Sequence, residues 1–339
     1  MLRPSLGGPH LEGSRPRAAQ QLPESKNFYE TGSAGDECGG DRVIVAEREP
    51  CGYAPRVPEL PEVETVRAVL EPVLVTRILE RVSILDARLT RPHEPGVVAA
   101  QLRGERVRSV GRRGKYLLLR FESGRVLLMH LRMTGSLLVV PPGDRYADRH
   151  ARAIATLDDG TAVVYRDVRR FGTWLLLDGE AVTPYLASRL GDEPLESRFG
   201  PKSLERALAR RRAPLKAALL DQRVVAGLGN IYVDEALWRA RLHPLRVAGQ
   251  LAAPEWAALA RAVRGALRTG IAAQGATLRD YRTPAGEPGS MQRELRVYGR
   301  AAEPCFRCAT PIVRIRVAGR GTWYCPQCQP HSPERRAGP

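Results

Sequence analysis

Four cysteines near the C-terminus have the spacing of a metal site. Cys305 and Cys308 form one C-x-x-C pair, and Cys325 and Cys328 form a second pair after 16 intervening residues. Thiolates in this pattern close a tetrahedral zinc site. Because sulfur would fill all four positions, the predicted zinc is structural rather than catalytic. The other two cysteines stand alone near the N-terminus, which does not suit a disulfide framework.

The segment between the two cysteine pairs predicts a β-hairpin. Residues 311–317 and 322–324 have the composition of strands, and Gly319-Arg320-Gly321 forms the expected tip. Arg320 at this tip could reach a phosphate group. A solvated turn arginine explains its local sequence at least as well.

A proline and several carboxylates mark a change in the sequence at residue 58. Pro61 suits the first turn of a helix, and apolar residues recur on one face behind it, so a short, half-buried helix is predicted after Pro58. Glu59 and Glu62 could act as an acid and its partner in catalysis. They could equally be ordinary charges at a helix N-terminus.

A glycine-rich turn at residues 226–229 directly precedes another predicted helix. Backbone N–H groups at such a start, with Asn230 beside them, predict a phosphate site, although a simple helix cap has the same sequence. The basic run Arg210-Arg211-Arg212 and Lys216 lie just upstream. They could supply phosphate contacts or form a solvated face.

These residues must be positioned by two kinds of element. Short β-type runs fill residues 78–177, including 116–121 and 125–130, and the turn Asp158-Asp159-Gly160 predicts a hairpin. The spacing favours an antiparallel sandwich or barrel. After a Pro/Gly-bearing hinge, the pattern becomes helical over residues 204–212, 215–220, 231–240 and 256–269.

The charge distribution indicates a polyanionic partner. The 339 residues carry a net charge of +16, and residues 1–57 hold seven Lys/Arg against eight Asp/Glu, so the excess lies after residue 57. Nucleic acid is the commonest such partner inside cells. Residues 1–57 are rich in Gly, Pro, Ser and charge and are predicted to be disordered. The sequence shows neither a membrane span nor a secretory signal, so an intracellular protein is expected.

Several motifs occur in an order that resembles the formamidopyrimidine-DNA glycosylase family, and the likeness covers about residues 58–330. Each motif alone is weak except the first and the last, but the ordered combination is specific. The motifs are Pro58 to Val66, Gly114-Lys115-Tyr116, His130-Leu131-Arg132-Met133-Thr134-Gly135, Arg169-Arg170-Phe171-Gly172, Gly229-Asn230-Ile231-Tyr232 and the four cysteines.

The resemblance implies an α+β multidomain fold. It would contain an N-terminal antiparallel β-sandwich with flanking helices, a helix-two-turn-helix domain and a C-terminal zinc-finger β-hairpin holding one structural Zn2+, with no organic cofactor. The expected protein is a monomer, and its partner is double-stranded DNA with oxidised bases or abasic sites. The domain boundaries are 1–57 for the extension, 58–187 for the catalytic sandwich, 188–200 for the hinge, 201–293 for the helical domain, 294–330 for the zinc finger and 331–339 for the tail.

The same resemblance assigns catalytic roles. The nitrogen of Pro58 would attack the sugar C1′ atom, expel an oxidised purine such as 8-oxoguanine or a formamidopyrimidine, and leave an iminium (Schiff base) linkage. Glu59 resembles the general acid and Glu62 its partner carboxylate. Lys115 looks like the lysine that contacts the lesion phosphate and assists β-elimination, and Arg320 like the arginine that assists the δ-elimination.

This chemistry needs Pro58 at an N-terminus. Within a chain, the proline nitrogen is an amide with a delocalised lone pair and no N–H, so it cannot attack. Val57 stands where an initiator residue would be, and valine codons can start translation in bacteria. The expectation is that translation begins at Val57 and that residues 1–57 reflect a wrongly assigned start. Proteolytic cleavage is the second hypothesis.

The resemblance further implies that side chains fill the gap left by a flipped base. Met133, Arg169 and Phe171 match these filling residues, although Met133 and Phe171 could instead be core residues. The loop of residues 275–292 resembles one that closes over the base, without its frequent aromatic residue, which leaves lesion preference open. Further DNA contacts are predicted at His130, His150, Arg211, Asn230 and Lys216.

Three alternatives remain open at this point. An endonuclease VIII-like glycosylase would act on oxidised pyrimidines, although Leu60 and Arg169-Arg170-Phe171-Gly172 favour the purine enzyme. A permanently blocked Pro58 would leave a non-catalytic DNA-binding protein. A zinc-ribbon ribosomal or transcription factor would leave the motif at Pro58 unexplained. For the favoured function, the expected location is the bacterial cytoplasm, in association with the nucleoid.

Overall fold

The first half of the molecule is a sandwich of two antiparallel sheets. The computed structural model describes residues 57–144, 148–277 and 283–331. The first sheet contains, from edge to edge, β1 (Leu79–Ile84), β6 (Ala151–Leu157), β7 (Ala162–Asp167) and β5 (Gly135–Val140). The second contains β2 (Val107–Arg113), β3 (Tyr116–Phe121), β4 (Arg125–His130) and β8 (Thr173–Asp178).

Strands β3 and β4 lie where the sequence predicts them, and their apolar runs have a structural reason. Leu117 and Leu119 point into the core between the two sheets, whereas Leu118 packs on the outer face against helix α3 (Gly179–Ala187). A strand covered on both faces is apolar along its length rather than alternating. Helix α3 itself was not predicted, because it is short and contains Pro184.

The predicted hairpin at Asp158-Asp159-Gly160 is confirmed. It joins β6 to β7, which pair antiparallel, and Gly160 has a φ of +84°. This left-handed conformation is one that glycine adopts without a Cβ penalty.

Helix α1 (Leu60–Leu74) connects the two halves of the molecule. Val63 and Val66 pack into the sandwich core with helix α2 (Pro95–Leu102), while Leu60 packs into the helical core. The helix has 15 residues, so the prediction that it is short is wrong. Its two-sided packing places the residues at its N-terminus at the junction of the two cores.

In the described part of the second half, four α-helices surround one core. They are α4 (Pro201–Leu208), α5 (Leu215–Leu220), α6 (Asn230–Ala240) and α7 (Ala253–Ala272). All four were predicted, and the largest boundary errors are at α4, which begins and ends earlier than expected, and at α7, which is longer at both ends. Pro201 suits the first turn of α4 because its missing N–H is not needed there.

The C-terminal hairpin packs on the helical core. Strands β9 (Val313–Val317) and β10 (Arg320–Tyr324) pair antiparallel, and Ala318 and Gly319 at the turn both have positive φ. Trp323, Cys305 and Cys325 belong to the same core cluster as helices α4 to α7. The finger is therefore a separate motif in sequence but shares one core with the helical domain.

Parts of the sequence predictions fall outside the described residues. These parts are the disorder predicted for residues 1–57, except Val57, and the tail after His331. Among the helices of the described part, none is both long and apolar enough to cross a membrane.

Candidate active site and zinc finger

The carboxylate of Glu59 lies at the N-terminus of helix α6. Its oxygens accept the backbone N–H groups of Ile231 at 2.9 Å and Tyr232 at 3.3 Å. A Cβ on Gly229 would lie only 2.2 Å from Cδ of Glu59, so the glycine makes this approach possible. The N–H groups of a helix start bind anions well. The phosphate site predicted at these N–H groups is wrong, because Glu59 occupies them.

Burial makes Glu59 a weak acid. Loss of solvation, together with the neighbouring Glu62, raises the pKa of this carboxyl from 4.5 to about 7, although Lys115 and the two N–H donors of α6 oppose the shift. A carboxyl group with this pKa is protonated in a large fraction of molecules at neutral pH. It can therefore donate a proton to a leaving group.

Glu62 holds the start of α1 against the helical domain. One carboxylate oxygen accepts the N–H of Glu59 at 2.9 Å. The other accepts the hydroxyl of Tyr232 and the N–H of Ala276, both at 2.8 Å. Burial raises the pKa of Glu62 above its ordinary value, while these donors oppose the shift. Glu62 thus fixes the position of Glu59 through three different segments.

Lys115 faces the same carboxylates from the turn between β2 and β3. Burial lowers the pKa of its ammonium group. Glu59 and Glu62 act in the opposite direction, while Arg320 of β10 lowers the pKa further. Four of the predicted catalytic side chains therefore lie near one another. Glu59 and Glu62 come from the start of α1, Lys115 from the β2–β3 turn and Arg320 from the zinc-finger hairpin.

The turn that carries Lys115 is fixed by a residue that sequence reasoning missed. Glu193, in the hinge, accepts the N–H of Gly114 at 2.8 Å. Its carboxylate also pairs with Arg112 at 2.7 Å and Arg113 at 2.8 Å. No local motif marks a hinge glutamate as special. The sequence offered one weak signal, an acidic residue in the hinge and two arginines that lie 80 and 81 residues before it and could pair with it.

The tip of the zinc-finger hairpin is tied to the helical domain next to Arg320. The carbonyl oxygen of Gly321 accepts Nζ of Lys216 at 2.9 Å and Nδ2 of Asn230 at 3.0 Å. Arg320 itself is exposed at the start of β10. The side chain of Arg320 is therefore accessible, while Lys216 and Asn230 fix the backbone of the next residue, Gly321.

Lys216 does not fit the predicted DNA contact. Its side chain is fully buried and pairs with Asp234 at 2.7 Å, and Asp234 also accepts the N–H of Trp323 at 3.0 Å. A phosphate cannot reach an ammonium group that is enclosed in this way. The pKa of Asp234 is raised to about 6 by burial, with Lys216 opposing. The pair is an internal anchor for the hairpin, and Asp234 was not identified from the sequence.

The four cysteines form a compact sulfur cluster. Their Sγ atoms lie within 4.8 Å of one another. Zinc–sulfur bonds of about 2.3 Å place the sulfurs of a tetrahedral site slightly under 4 Å apart, so the cluster fits one zinc ion after a small contraction. Nε1 of Trp238 in α6 also donates to Sγ of Cys305 at 3.4 Å. The finger and the helical domain thus meet at a metal ligand.

Two loops bring the predicted filling residues to one end of the sandwich. Met133 lies in the β4–β5 loop, where it is half-buried, and Arg169 and Phe171 lie exposed in the β7–β8 loop. The guanidinium of Arg169 stacks 4.7 Å from the ring centroid of Phe171. Phe171 is 49% exposed, which excludes a core role for it in the described structure.

The remaining predicted DNA contacts have different surroundings. His130 is buried, and its pKa is lowered to about 3 by burial, Arg132 and Lys115, so its ring is neutral at pH 7. His150 is half-buried at the start of β6. Arg211 is also half-buried and pairs with Asp221 at 3.0 Å.

Part of the loop predicted to close over the base, residues 278–282, lies outside the described residues. Of the described part, Met291 is fully buried in the helical core.

Three family models match successive parts of the chain. The formamidopyrimidine-DNA glycosylase N-terminal domain matches residues 57–174, the H2TH domain of the same glycosylase matches residues 190–282, and the zinc finger found in FPG and IleRS matches residues 302–330. The chain belongs to the formamidopyrimidine-DNA glycosylase family. The predicted resemblance and the predicted α+β fold with sandwich, helix-two-turn-helix domain and zinc finger are confirmed.

Relatives and solved structures agree with this membership. The formamidopyrimidine-DNA glycosylase of Herpetosiphon aurantiacus is 45% identical over 80% of the chain and all of the relative, and that of Symbiobacterium thermophilum is 47% identical over 81% of the chain and 90% of the relative. A Lactococcus lactis Fpg in complex with abasic-site DNA aligns with a TM-score of 0.75 and 37% identity, over 80% of the chain and 99% of that structure. A complex of the wild-type Lactococcus lactis protein with DNA containing N7-benzyl-Fapy-dG gives the same TM-score and identity, over 80% and 100%.

Membership in the formamidopyrimidine-DNA glycosylase family settles the chemistry of the sulfur cluster. The zinc-finger match covers all four cysteines, and these are the residues whose Sγ atoms lie together. Cys305, Cys308, Cys325 and Cys328 hold one structural zinc ion, as the spacing predicted. With every position taken by sulfur, the ion supplies folding energy and no open coordination site.

Proposed function

We propose that this protein excises oxidised purines from double-stranded DNA and then nicks the strand at the abasic site by β,δ-elimination. The observation that carries this function is the buried Glu59, with a pKa of about 7, beside Pro58 and within the electrostatic reach of Lys115, which also interacts with Arg320. The complexes of the Lactococcus lactis protein with abasic and Fapy-type DNA support the substrate class.

Pro58 supplies the nucleophile. Its secondary amine bonds to C1′ of the damaged nucleotide, the bond from C1′ to the base breaks, and the base leaves with the proton that the amine nitrogen loses. The bond from C1′ to the ring oxygen O4′ then breaks as O4′ takes a proton. The sugar remains attached to Pro58 as an iminium ion. An α-amino group has a pKa near ~8, against ~10.4 for a lysine, so at neutral pH it is unprotonated far more often.

The active form therefore begins at Pro58. An amide nitrogen at this position would have no free lone pair. The N-terminal family model matches from residue 57, which supports a start at Val57 followed by removal of that residue. Proteolytic removal of residues 1–57 would give the same nucleophile.

The other site residues divide the remaining steps. Glu59 donates its proton to O4′ as the sugar ring opens, and Glu62 keeps Glu59 in place. Lys115 neutralises the phosphate beside the lesion and assists the first elimination. Arg320, at the start of the zinc-finger hairpin, assists the second.

DNA binding uses the end of the sandwich and the cleft between domains. Met133, Arg169 and Phe171 fill the gap left by the flipped nucleotide. His130, His150, Arg211 and Asn230 contact the backbone, with His130 acting as an uncharged donor and Asn230 already bound to the hairpin. We place the protein, as a monomer, in the bacterial cytoplasm at the nucleoid, where this substrate lies.

Borohydride trapping tests the proposal. A protein that begins at Pro58 should form a reducible covalent adduct with a duplex containing 8-oxoguanine, and little with an undamaged duplex or with one containing thymine glycol. A protein that retains residues 1–57, verified by intact mass, should form none. If the shorter protein traps nothing, the proposed chemistry is wrong. If the longer one traps equally well, the nucleophile is not Pro58.

A further inference from the structure

The two loops that carry Met133, Arg169 and Phe171 are joined by a threonine and an aspartate. Oγ1 of Thr134, the residue after Met133, donates to Oδ1 of Asp167 at 2.5 Å. Asp167 ends strand β7, and its loop continues through the two other filling residues. The backbone N–H of Arg169 donates to both partners, at 3.0 Å to Thr134 and 3.2 Å to Asp167.

Asp167 also holds the far side of its own loop. Oδ2 accepts the N–H of Gly172, directly after Phe171, at 2.8 Å. Its backbone N–H donates to the carbonyl oxygen of His150 at 2.9 Å, and its own carbonyl oxygen accepts Nε of Arg152 at 2.8 Å. Asp167 is 1% exposed, so its carboxylate is hydrogen-bonded by Thr134, Arg169 and Gly172 in place of water. One carboxylate thus connects the segments next to all three filling residues.

Both loops pack closely against the side chain beneath them. A Cβ on Gly172 would lie 1.6 Å from the hydroxyl oxygen of Tyr165, and a Cβ on Gly135 would lie 2.4 Å from the same atom. Each loop therefore contributes one glycine to a close contact with a single buried tyrosine. Tyr165 in turn packs against Trp174, with ring centroids 5.6 Å apart.

We propose that the hydrogen bond from Thr134 to Asp167 makes Met133, Arg169 and Phe171 a single preorganised wedge that enters the duplex as a unit. The inference rests on the proposed function and adds a positioning residue, Thr134, to it. Three side chains on two independent loops would each lose conformational freedom on entering the base stack. A wedge that is already ordered in the free protein does not bear that cost during base flipping.

Substitution of Thr134 separates this role from catalysis. Thr134→Val keeps the shape and removes the hydroxyl, whereas Thr134→Ser keeps the hydroxyl. Thr90→Val is the matched control, because Thr90 is fully buried and its hydroxyl donates to the carbonyl oxygen of His93 at 3.0 Å rather than to Thr134 or Asp167. The zinc-loaded protein is used in the form that trapping identifies as active.

The substrates are one abasic site placed in a duplex and in a single strand. Only the duplex has a gap that the wedge must fill. Thr134→Val is expected to cleave the duplex substrate roughly tenfold more slowly, the size of one net hydrogen bond, and the single strand within about twofold of the unmodified protein. Thr134→Ser and Thr90→Val should keep the original ratio between the two substrates. A 2-aminopurine opposite the abasic site should show slower wedge insertion in Thr134→Val alone.

The outcomes discriminate between the possible errors. The wedge proposal is overturned if Thr134→Val slows cleavage of the duplex and of the single strand equally. It is also overturned if Thr90→Val changes the ratio of the two cleavage rates as much as Thr134→Val does. An unchanged ratio in Thr134→Val with an unchanged fluorescence time course overturns it as well. If the unmodified protein cleaves neither abasic substrate, the proposed function fails instead, independently of Thr134.

Discussion

At the scale of single residues, Glu59 shows how an ordinary carboxyl group acquires catalytic acidity. The same side chain on a solvated helix start would ionise near 4.5 and would have no proton to give at pH 7. Here burial raises the pKa to about 7, even though two N–H donors and Lys115 favour the charged form. Desolvation is therefore the dominant effect at this site.

This shift has a consequence for stability against pH. A carboxyl whose pKa is higher in the folded protein than in the unfolded chain stabilises the fold at low pH, and that contribution is lost as pH rises from 4.5 through about 7. Glu59→Gln carries no charge to desolvate. The melting temperature of Glu59→Gln minus that of the unmodified protein should therefore increase between pH 5 and pH 8, by the equivalent of roughly 1–3 kcal/mol.

Thermal unfolding followed by circular dichroism across this pH range measures the difference. Glu80→Gln, at an exposed position on β1, is the control and should show a constant difference. A flat profile for Glu59→Gln would show that the carboxyl is not protonated on folding.

At the scale of elements, the start of helix α6 decides how the site is assembled. The sequence predicted both the helix and the glycine-rich turn before it. It did not predict that the anion at the N–H groups would be Glu59, because a helix start attracts phosphates and carboxylates alike. The partner lies 172 residues away in the chain, and no local pattern records a contact of that range.

Two glycine substitutions test this arrangement. Gly229→Ala would place a methyl group against Glu59, and should lower the melting temperature and slow base excision by tenfold or more, because the acid is displaced. Gly96→Ala, in helix α2 where no atom lies within 4 Å of the new Cβ, should raise stability by roughly 0.4–1 kcal/mol and leave excision unchanged. Parallel melting curves and single-turnover excision assays compare the pair. Tolerance of Gly229→Ala in both would argue against the close contact.

Element boundaries were predictable where composition alone determines them. Strands β3 and β4 and helix α5 lie over the predicted residues, because continuous apolar runs and turn residues mark their ends. Helix α3 was missed because it is short and contains Pro184, and its role is visible only through Leu118 on the strand that it covers. Glu193 and Asp167 were missed for a related reason, since their partners belong to distant segments.

At the scale of the whole molecule, the zinc ion stabilises more than its own hairpin. The finger shares a core with the helices, and Trp238 contacts a zinc ligand directly. The sandwich has a separate core without finger residues. The two halves should therefore respond differently to loss of metal.

Removal of zinc with a chelator should abolish covalent trapping of damaged DNA, because Arg320 and the anchor at Gly321 lose their support. The β-sheet signal in far-ultraviolet circular dichroism should remain, while tryptophan fluorescence should change. Released zinc is measured with a colorimetric indicator in the same samples, and re-addition of zinc is the control. Full trapping after stoichiometric zinc release would contradict the dependence.

Helix α1 has one further consequence, since its first residues pack with one domain and its later residues with the other. Neither domain contains the acid alone: one supplies the carboxyl group and the other supplies the dry surroundings that keep its proton. Separation of the domains would return Glu59 to water and to the acidity of any surface glutamate. Base expulsion therefore requires that the two domains stay in contact around Glu59. A molecule whose domains have separated could still bind DNA, but it would not excise the base.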